Sequence, residues 1–336
     1  MDYLDYIVES KIIKKSDIQI NIPTFNSYET TKNTIKILFK QKDIKFDILF
    51  IDNASEDYKK LIKDFPDINY VVLKENTGGS GAQRIGAELA LKKGYDYIIF
   101  TDNDAILLSE TGLQRMFKKL KSDDNIGAVA PKNIEKDNKI TKDIIWKKQL
   151  PFHYIFVKSS LFKKISLHNF YIFLYSDDTS LTSKIVSNSK LIVCGDIFYY
   201  HDVFQAKCIQ YTYFYFHLRG LLIIVFREND INFKLKITHL FNIFYKITLS
   251  ILRFIQLRDP TFIKIVFSVL VQFVTNYKKI DISKIPPDKY LLKKIDNKIQ
   301  GAKEPTLLNL TFLHKAYCFH SNYYKKDFYY KLEKQY

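Results

Sequence analysis

The 336-residue sequence contains little cysteine and no cysteine pattern typical of a metal site. Its three cysteines, Cys194, Cys208 and Cys318, are scattered, and no two of them form a Cys-x-x-Cys pair. Zinc clusters and the disulfide frameworks of small secreted domains both need closely or regularly spaced cysteines. The sequence therefore indicates neither kind of site.

Long apolar runs are also lacking. The apolar stretches of the C-terminal third are broken by Lys, Arg or His, and none reaches the roughly 18 residues that a transmembrane span requires. Residues 1–16 carry Asp2, Asp5 and Glu9 and show no basic segment followed by an apolar one, so they do not resemble a secretory signal. We therefore expect a cytoplasmic location and no transmembrane helix.

The common glycine-rich phosphate motifs are absent, but one glycine-rich loop is present. Asn76-Thr77-Gly78-Gly79-Ser80-Gly81 follows a predicted strand and opens a predicted helix, without the Lys-Ser/Thr of a P-loop. Glycines there allow backbone N–H groups to approach an anion, although the same residues also suit a tight turn. Arg84, one turn into the helix, would either reach a phosphate or lie on the surface.

Composition and charge indicate a folded protein with an anionic partner. The chain is 47% hydrophobic and carries a net charge of +16, and more than half of the excess positive charge lies in residues 207–300. Lipid and nucleic acid are the two obvious partners, and a basic solvated surface is the plain alternative. The apolar and aromatic helices predicted there, at 211–226, 235–256 and 261–277, favour an anionic membrane surface over nucleic acid.

Strands and helices alternate in the first third of the chain. Apolar runs at 18–22, 46–52, 70–74 and 95–101 predict strands, and the segments 30–42, 55–65 and 81–93 predict helices. This alternation predicts an α/β fold with a mostly parallel sheet flanked by helices, followed by a C-terminal helical region. Ligands bind at the carboxyl ends of such strands, where Thr24, Asp52, Asn76 and Asp102 fall.

Two acidic pairs follow apolar runs. Asp102-Asn103-Asp104 ends the fourth strand, and carboxylates at a buried strand end favour a cation such as Mg²⁺ or Mn²⁺. His201 could complete that cation site, although a lone histidine is more often structural. Asp177-Asp178 precedes a helix predicted at 179–187, so a carboxylate there would act either as a helix cap or as a general base.

Five motifs occur in an order that resembles family 2 glycosyltransferases. They are Pro23-Thr24-Phe25-Asn26, Ile51-Asp52-Asn53-Ala54-Ser55, Asn76-Thr77-Gly78-Gly79-Ser80-Gly81, Thr101-Asp102-Asn103-Asp104 and Tyr175-Ser176-Asp177-Asp178. The Asn-x-Gly-Gly-x-Gly loop and the downstream His201 are similar to the rhamnosyltransferase and galactofuranosyltransferase branch. Family members have the GT-A fold, a nucleotide-sugar-binding α/β domain, and the resemblance extends over about residues 17–225.

The resemblance implies a role for each motif. Asp104, His201 and Asp102 would bind Mn²⁺ or Mg²⁺, Asp178 would be the general base, and Asp177 would orient the acceptor. The residues implied to bind the nucleotide sugar are Pro23, Thr24, Asn26, Asp52, Asn53, Asn76, Gly78, Gly79, Arg84, Asp102 and Asn103. The implied reaction is an inverting transfer from a UDP- or dTDP-sugar donor to a glycan or lipid-linked acceptor.

The predicted organisation has three parts. Residues 1–16 form an extension, 17–205 form the GT-A catalytic domain, and 206–336 form a basic, aromatic helical region that binds the cytosolic face of a membrane or forms a homodimer contact. Two other functions share some of these features: a nucleotidyltransferase that makes a nucleotide sugar, and a non-catalytic membrane-binding protein. Against the first, Pro23-Thr24-Phe25-Asn26 lacks the glycine and basic residues that such an enzyme needs after its first strand.

Overall fold

The computed structural model describes residues 3–134, 138–146, 150–201, 210–257 and 260–278. These residues contain one ten-stranded sheet. Its strands are β1 (Ile7–Lys11), β2 (Ile18–Thr24), β3 (Asp47–Asp52), β4 (Asn69–Leu73), β5 (Tyr97–Phe100), β6 (Ala105–Leu107), β7 (Ile126–Asn133), β8 (Ile144–Trp146), β9 (Ile155–Lys158) and β10 (Lys190–His201). The α-helices are α1 (Tyr28–Leu38), α2 (Tyr58–Asp64), α3 (Gly78–Lys92), α4 (Gly112–Lys121), α5 (Asp177–Asn188), α6 (Gln210–Arg227), α7 (Phe233–Leu257) and α8 (Thr261–Asn276).

The sheet confirms the predicted α/β fold. Strands run in the order β1-β4-β3-β2-β5-β9-β7-β10-β6, with β8 also paired to β10. The block β4-β3-β2-β5 is parallel, as is the pair β7-β10, whereas β9 joins β5 and β7 antiparallel. The parallel block therefore brings the carboxyl ends of its strands to one edge of the sheet.

Both faces of the sheet are covered, because alternate residues of each buried strand point to opposite sides. On β3, Ile48 and Phe50 join the core that packs against α1, α2 and α4. Leu49 and Ile51 join the core on the other face, against α3. This explains why the strands appear in the sequence as continuous apolar runs rather than as alternating patterns.

The predicted N-terminal extension, residues 1–16, contains a strand of the sheet. Strand β1 pairs antiparallel with β4, with Lys11 opposite Tyr70, and so forms an edge strand. The side chain of Glu9 accepts hydrogen bonds from the Tyr70 and Tyr58 hydroxyls, which fixes the strand from its exposed side.

The C-terminal helices form a three-helix unit that packs against the sheet domain. Helices α6, α7 and α8 share a core that also includes Phe173, Leu174 and Tyr175, which lie immediately before α5. Among the described residues, no helix combines the length and the apolarity that crossing a membrane requires. The predicted tail beyond residue 280 lies outside the described residues, as do Cys208 and Cys318.

Candidate active site

Strand register brings the predicted metal ligands Asp104 and His201 together. Strand β10 pairs antiparallel with β6, and His201 lies opposite Ala105, the residue that follows Asp104. The His201 Nε2 atom is therefore 3.0 Å from Asp104 Oδ1. Two residues almost 100 positions apart in the chain thus meet as a carboxylate–imidazole pair at the end of the sheet.

His153 is a site residue that the sequence reasoning missed. Strand β9 pairs antiparallel with β5, with Phe100 opposite Ile155, so continuing this register places His153 beside Asp102. The His153 Nε2 atom is 3.3 Å from Asp102 Oδ2, and its ring centroid is 4.0 Å from that of His201. The sequence signal was weak, since finding His153 requires knowing that β9 runs antiparallel to β5.

The donor atoms of this cluster fit a divalent cation. Ligand atoms of Asp102, His153 and His201 all lie within 4.8 Å of one another. Burial lowers the pKa of His153, which favours the neutral imidazole that binds metals. Its Nδ1 atom is buried without a hydrogen-bond partner among the described residues. Carboxylate oxygens suit Mg²⁺ and Mn²⁺, whereas imidazole nitrogens suit transition-metal ions, so a mixed set of this kind fits a divalent transition-metal ion better than Mg²⁺.

Asp177 and Asp178 occupy the first turn of α5, which begins at Asp177 and not at the predicted residue 179. Burial raises the pKa of Asp178 to about 6, with a further contribution from the charge of Asp102. Burial, then the charge of Asp178, then that of Asp102 raise the pKa of Asp177 well above its usual value. The acidic pair and the metal-type cluster therefore lie close enough to interact electrostatically.

The glycine-rich loop packs against the chain that leads into α5. Gly78 has a φ of +72°, and a Cβ added there would lie 2.2 Å from the carbonyl oxygen of Phe173. The Ser80 N–H donates to that same carbonyl, and the Gly78 N–H donates to Asn76 Oδ1. Gly79 is closer to the acidic pair, since a Cβ there would lie 3.7 Å from Asp177 Oδ2. The glycines are thus explained first by this close packing.

Asp52 presents a buried acceptor at the end of β3. Its Oδ1 atom accepts a hydrogen bond from the Ser55 N–H at 2.7 Å, whereas Oδ2 is buried with no partner among the described residues. Burial also raises the pKa of this carboxyl. An unpaired buried oxygen is costly, so Asp52 suits a ligand that brings an N–H donor. Its expected contact with the nucleobase remains a prediction.

Several predicted nucleotide contacts have structural partners within the protein. Asn53 Oδ1 accepts from the Thr77 N–H and hydroxyl, and its Nδ2 atom donates to the Gly78 carbonyl, so it joins β3 to the glycine-rich loop. The Asn26 N–H donates to the Ser55 hydroxyl. Pro23 lies within the β2–β3 pairing, opposite Ile51.

Asn103 and Thr24 bind to the start of α1. Asn103 Nδ2 donates to the Ser27 and Thr31 hydroxyls, at 2.6 and 3.0 Å, and so does not face the metal-type cluster. The Thr24 hydroxyl is 2.8 Å from that of Thr31. Hydrogen bonds within the protein therefore explain why Asn103 and Thr24 are polar, and no bound ligand is needed for that explanation.

Arg84 has a different set of contacts from the predicted one. Its Nε atom binds Glu88 at 2.9 Å, and Nη1 donates to the His168 carbonyl at 2.7 Å. The first bond lies within α3, and the second ties α3 to the segment before α5. Arg84 was predicted to contact a phosphate, and that role remains a prediction. In the structure its side chain holds residues 167 and 168 in place.

Comparison with known proteins shows what the sheet domain is similar to. Residues 20–178, just under half of the chain, match the family model described as Glycosyl transferase family 2. A stretch of 99 residues is 29% identical to the amylovoran biosynthesis glycosyltransferase AmsB of Erwinia amylovora, and this match spans 27% of the chain and 32% of that relative. The chain thus spans about a third of the length of the curated relative it matches.

Solved structures confirm the GT-A fold. The mannosyltransferase PcManGT from Pyrobaculum calidifontis, in complex with GDP-Man and Mn²⁺, aligns with a TM-score of 0.52 at 14% identity, covering 90% of this chain and 92% of that one. Residues 1–349 of S. aureus TarS in complex with UDP align with a TM-score of 0.52 at 16% identity, covering 87% and 94%. At such identities the likeness establishes the fold, and the site must be argued from its own residues.

Proposed function

We propose that the protein is an inverting, metal-dependent glycosyltransferase. The observation that supports this best is the convergence of two charged clusters at one edge of the sheet. One contains Asp102, Asp104, His153 and His201. The other is the Asp177–Asp178 pair, which lies beside Gly79 at the start of α3, and the charge of Asp102 contributes to raising the pKa of both aspartates. Displacement at a sugar carbon needs charge stabilisation on the leaving side and a base on the acceptor side.

The donor side has residues suited to a nucleotide diphosphate. Asp102, His153 and His201 would hold Mn²⁺ or Mg²⁺, together with Asp104, which contacts His201. The bound cation would stabilise negative charge on the departing diphosphate. The unpaired Oδ2 of Asp52 would accept from the nucleobase. UDP- and dTDP-sugars are the proposed donors. One solved neighbour is in complex with UDP-GlcNAc and another with GDP-Man, so GDP should be tested as well.

The acceptor side depends on Asp178. With a pKa of about 6, this carboxylate is ionised at neutral pH and can accept the proton of the attacking hydroxyl. Burial, and then the charge of Asp178, raise the pKa of Asp177 well above its usual value, and this residue would orient the acceptor. Attack and departure on opposite faces of the sugar would invert the anomeric carbon.

A nucleotide screen tests this function. We expect UDP, dTDP or GDP to raise the melting temperature only when Mn²⁺ is present. Asp104→Ala should remove the metal-dependent shift, and Asp178→Asn should keep the shift but abolish sugar transfer. Asp196→Ala is the control, since Asp196 is exposed and pairs with Arg115 away from the cluster. Wild-type turnover by Asp178→Asn, or pyrophosphate release from a nucleoside triphosphate, would contradict the proposal.

We further propose that α7 and α8 hold the enzyme on an anionic membrane, where a lipid-linked glycan acceptor would be found. Large apolar side chains along both helices are exposed, among them Phe241 and Phe244 on α7 and Phe267 and Val274 on α8. They recur every three to four residues and so form a face on each helix. The basic charge of this part of the chain would favour the cytosolic leaflet.

A further inference from the structure

The backbone before the acidic pair is strained. Phe173, Tyr175 and Ser176 have φ values of 72°, 53° and 138°, although none of them is glycine. Such conformations are unfavourable for a residue that carries a Cβ, and they persist only where neighbouring structure enforces them. The strain is concentrated in the four residues that set the direction of Asp177 and Asp178.

Ser176 also departs from ordinary helix capping. It is the N-cap of α5, where a serine hydroxyl normally accepts from a backbone N–H of the first turn. No such bond forms, and the hydroxyl instead lies 3.0 Å from Nδ1 of His217 on α6. Ser176 is only 1% exposed, so its buried hydroxyl is hydrogen-bonded to α6 and not to the first turn of its own helix.

Helix α6 is shaped to receive this serine. A Cβ added at Gly220, one turn beyond His217, would lie 2.6 Å from the Ser176 Cβ, so only glycine allows the approach. Burial lowers the pKa of His217 to about 3, with the charge of Lys246 adding to the effect, so its imidazole is neutral at pH 7. Arg219, on the same helix, donates to the Tyr171 carbonyl and so fixes the start of the segment.

We propose that the Ser176–His217 hydrogen bond positions the catalytic carboxylates Asp177 and Asp178. This inference rests on the proposed function. The pair holds Ser176 in a glycine-like conformation and thereby aims Asp177 and Asp178 at the acceptor. Neither residue takes part in the reaction. The three-helix unit therefore contributes to the active site through α6, in addition to any membrane contact of α7 and α8.

Substitutions at Ser176 separate positioning from folding. Ser176→Gly relieves the strained φ but removes the hydroxyl, so we expect an unchanged or higher melting temperature together with a fall in kcat of about 10- to 100-fold. The donor KM and the metal-dependent nucleotide shift should not change. His217→Ala should reproduce the loss of kcat, and His217→Asn should restore part of it by placing an amide group near the position of Nδ1.

A second serine–histidine pair provides matched controls. The hydroxyl of Ser183 on α5 lies 3.0 Å from His239 Nε2 on α7. This pair is also buried, but it is about one and a half helical turns beyond the carboxylates. Ser183→Ala and His239→Ala should keep kcat within about twofold, whereas Ser176→Ala and His217→Ala should not. Wild-type kcat in Ser176→Gly and His217→Ala would overturn the positioning role.

Hydrogen exchange distinguishes this inference from the proposed function. We expect His217→Ala to speed amide exchange of residues 173–178 at least tenfold, with His239→Ala leaving that segment unchanged. If the wild type transfers no sugar but exchange responds in this way, the proposed function fails and the pairing stands. If exchange does not respond, the pairing fails whatever the activity.

Discussion

Asp178 couples stability to pH through its burial. Its pKa is about 6 in the folded protein against 3.8 for an ordinary aspartate, because burial penalises the charged form. A raised pKa contributes stability that is fully present below about pH 4 and is lost as pH rises through about 6. At neutral pH the folded state therefore carries the cost of an ionised carboxylate, which is a common cost of a catalytic site.

Removing that charge should stabilise the protein. At pH 7.5 in EDTA we expect Asp178→Asn to raise the free energy of unfolding by roughly 1–3 kcal/mol, with the difference vanishing near pH 4. Denaturant titration at both pH values measures this. Asp123→Asn is the control of opposite sign, because Lys190 lowers the pKa of Asp123 to about 2, so its loss should destabilise at neutral pH. A destabilised Asp178→Asn at pH 7.5 would contradict the assignment.

At the level of single residues, the sequence predicted the site residues that belong to recognisable motifs. It missed the residue whose position depends on how the strands pair. Asp104 and His201 were predicted from their residue types to share a cation site, and the structure places the two side chains 3.0 Å apart. Their role as metal ligands remains a prediction. His153 belongs to no motif, and only the antiparallel pairing of β9 with β5 reveals it. Asn103 and Arg84 have donors that are used within the protein, which local sequence cannot show.

Among the elements, the glycine-rich loop gives a sharp test. Gly78 and Gly94 both have a φ of +72°, but an added Cβ meets the Phe173 carbonyl at Gly78 and open space at Gly94. Gly94→Ala should thus cost about 1 kcal/mol from backbone strain alone, and Gly78→Ala should cost at least 1–2 kcal/mol more. Denaturant unfolding measures both, and equal costs would show that the close approach to Phe173 is unimportant.

The starts of two helices explain why element boundaries were misjudged. Helix α3 was predicted from residue 81 and begins at Gly78, and α5 was predicted from residue 179 and begins at Asp177. Glycine and aspartate have low helix propensity, so sequence reasoning placed them outside. In the fold, the Gly78–Phe173 packing and the Ser176–His217 pair fix these first turns, and both depend on contacts distant in sequence.

For the whole molecule, the sequence predicted the three C-terminal helices but not their connection to the site. Their apolar periodicity gave their positions within two residues. Their burial against Phe173 and Tyr175 could not be foreseen, because aromatic stripes suit a core, a lipid face or a subunit contact equally well. In the structure, apolar side chains of α6 pack against the loop before α5, whereas α7 and α8 leave large apolar side chains exposed.

That exposed face yields a test of membrane binding. Phe244 on α7 and Phe267 on α8 are 57% and 69% exposed. Phe39, which follows α1 in the sheet domain, is 58% exposed and provides the matched control. We expect the wild type to co-sediment with vesicles containing anionic lipid, and the double variant Phe244→Glu/Phe267→Glu to bind at least tenfold more weakly, since burying each ring in the interface is worth about 1.5–3 kcal/mol. Phe39→Glu should bind as the wild type does.

The same variants separate lipid from a second subunit. If the face were a homodimer contact, the double variant would change the molecular mass measured by light scattering and leave vesicle binding unchanged. Binding should also weaken as salt rises, because the basic residues around the helices act through screened charge. Unchanged vesicle binding by the double variant would refute the membrane role, whereas the Ser176–His217 positioning role would still stand, because it depends on α6 and not on the exposed faces of α7 and α8.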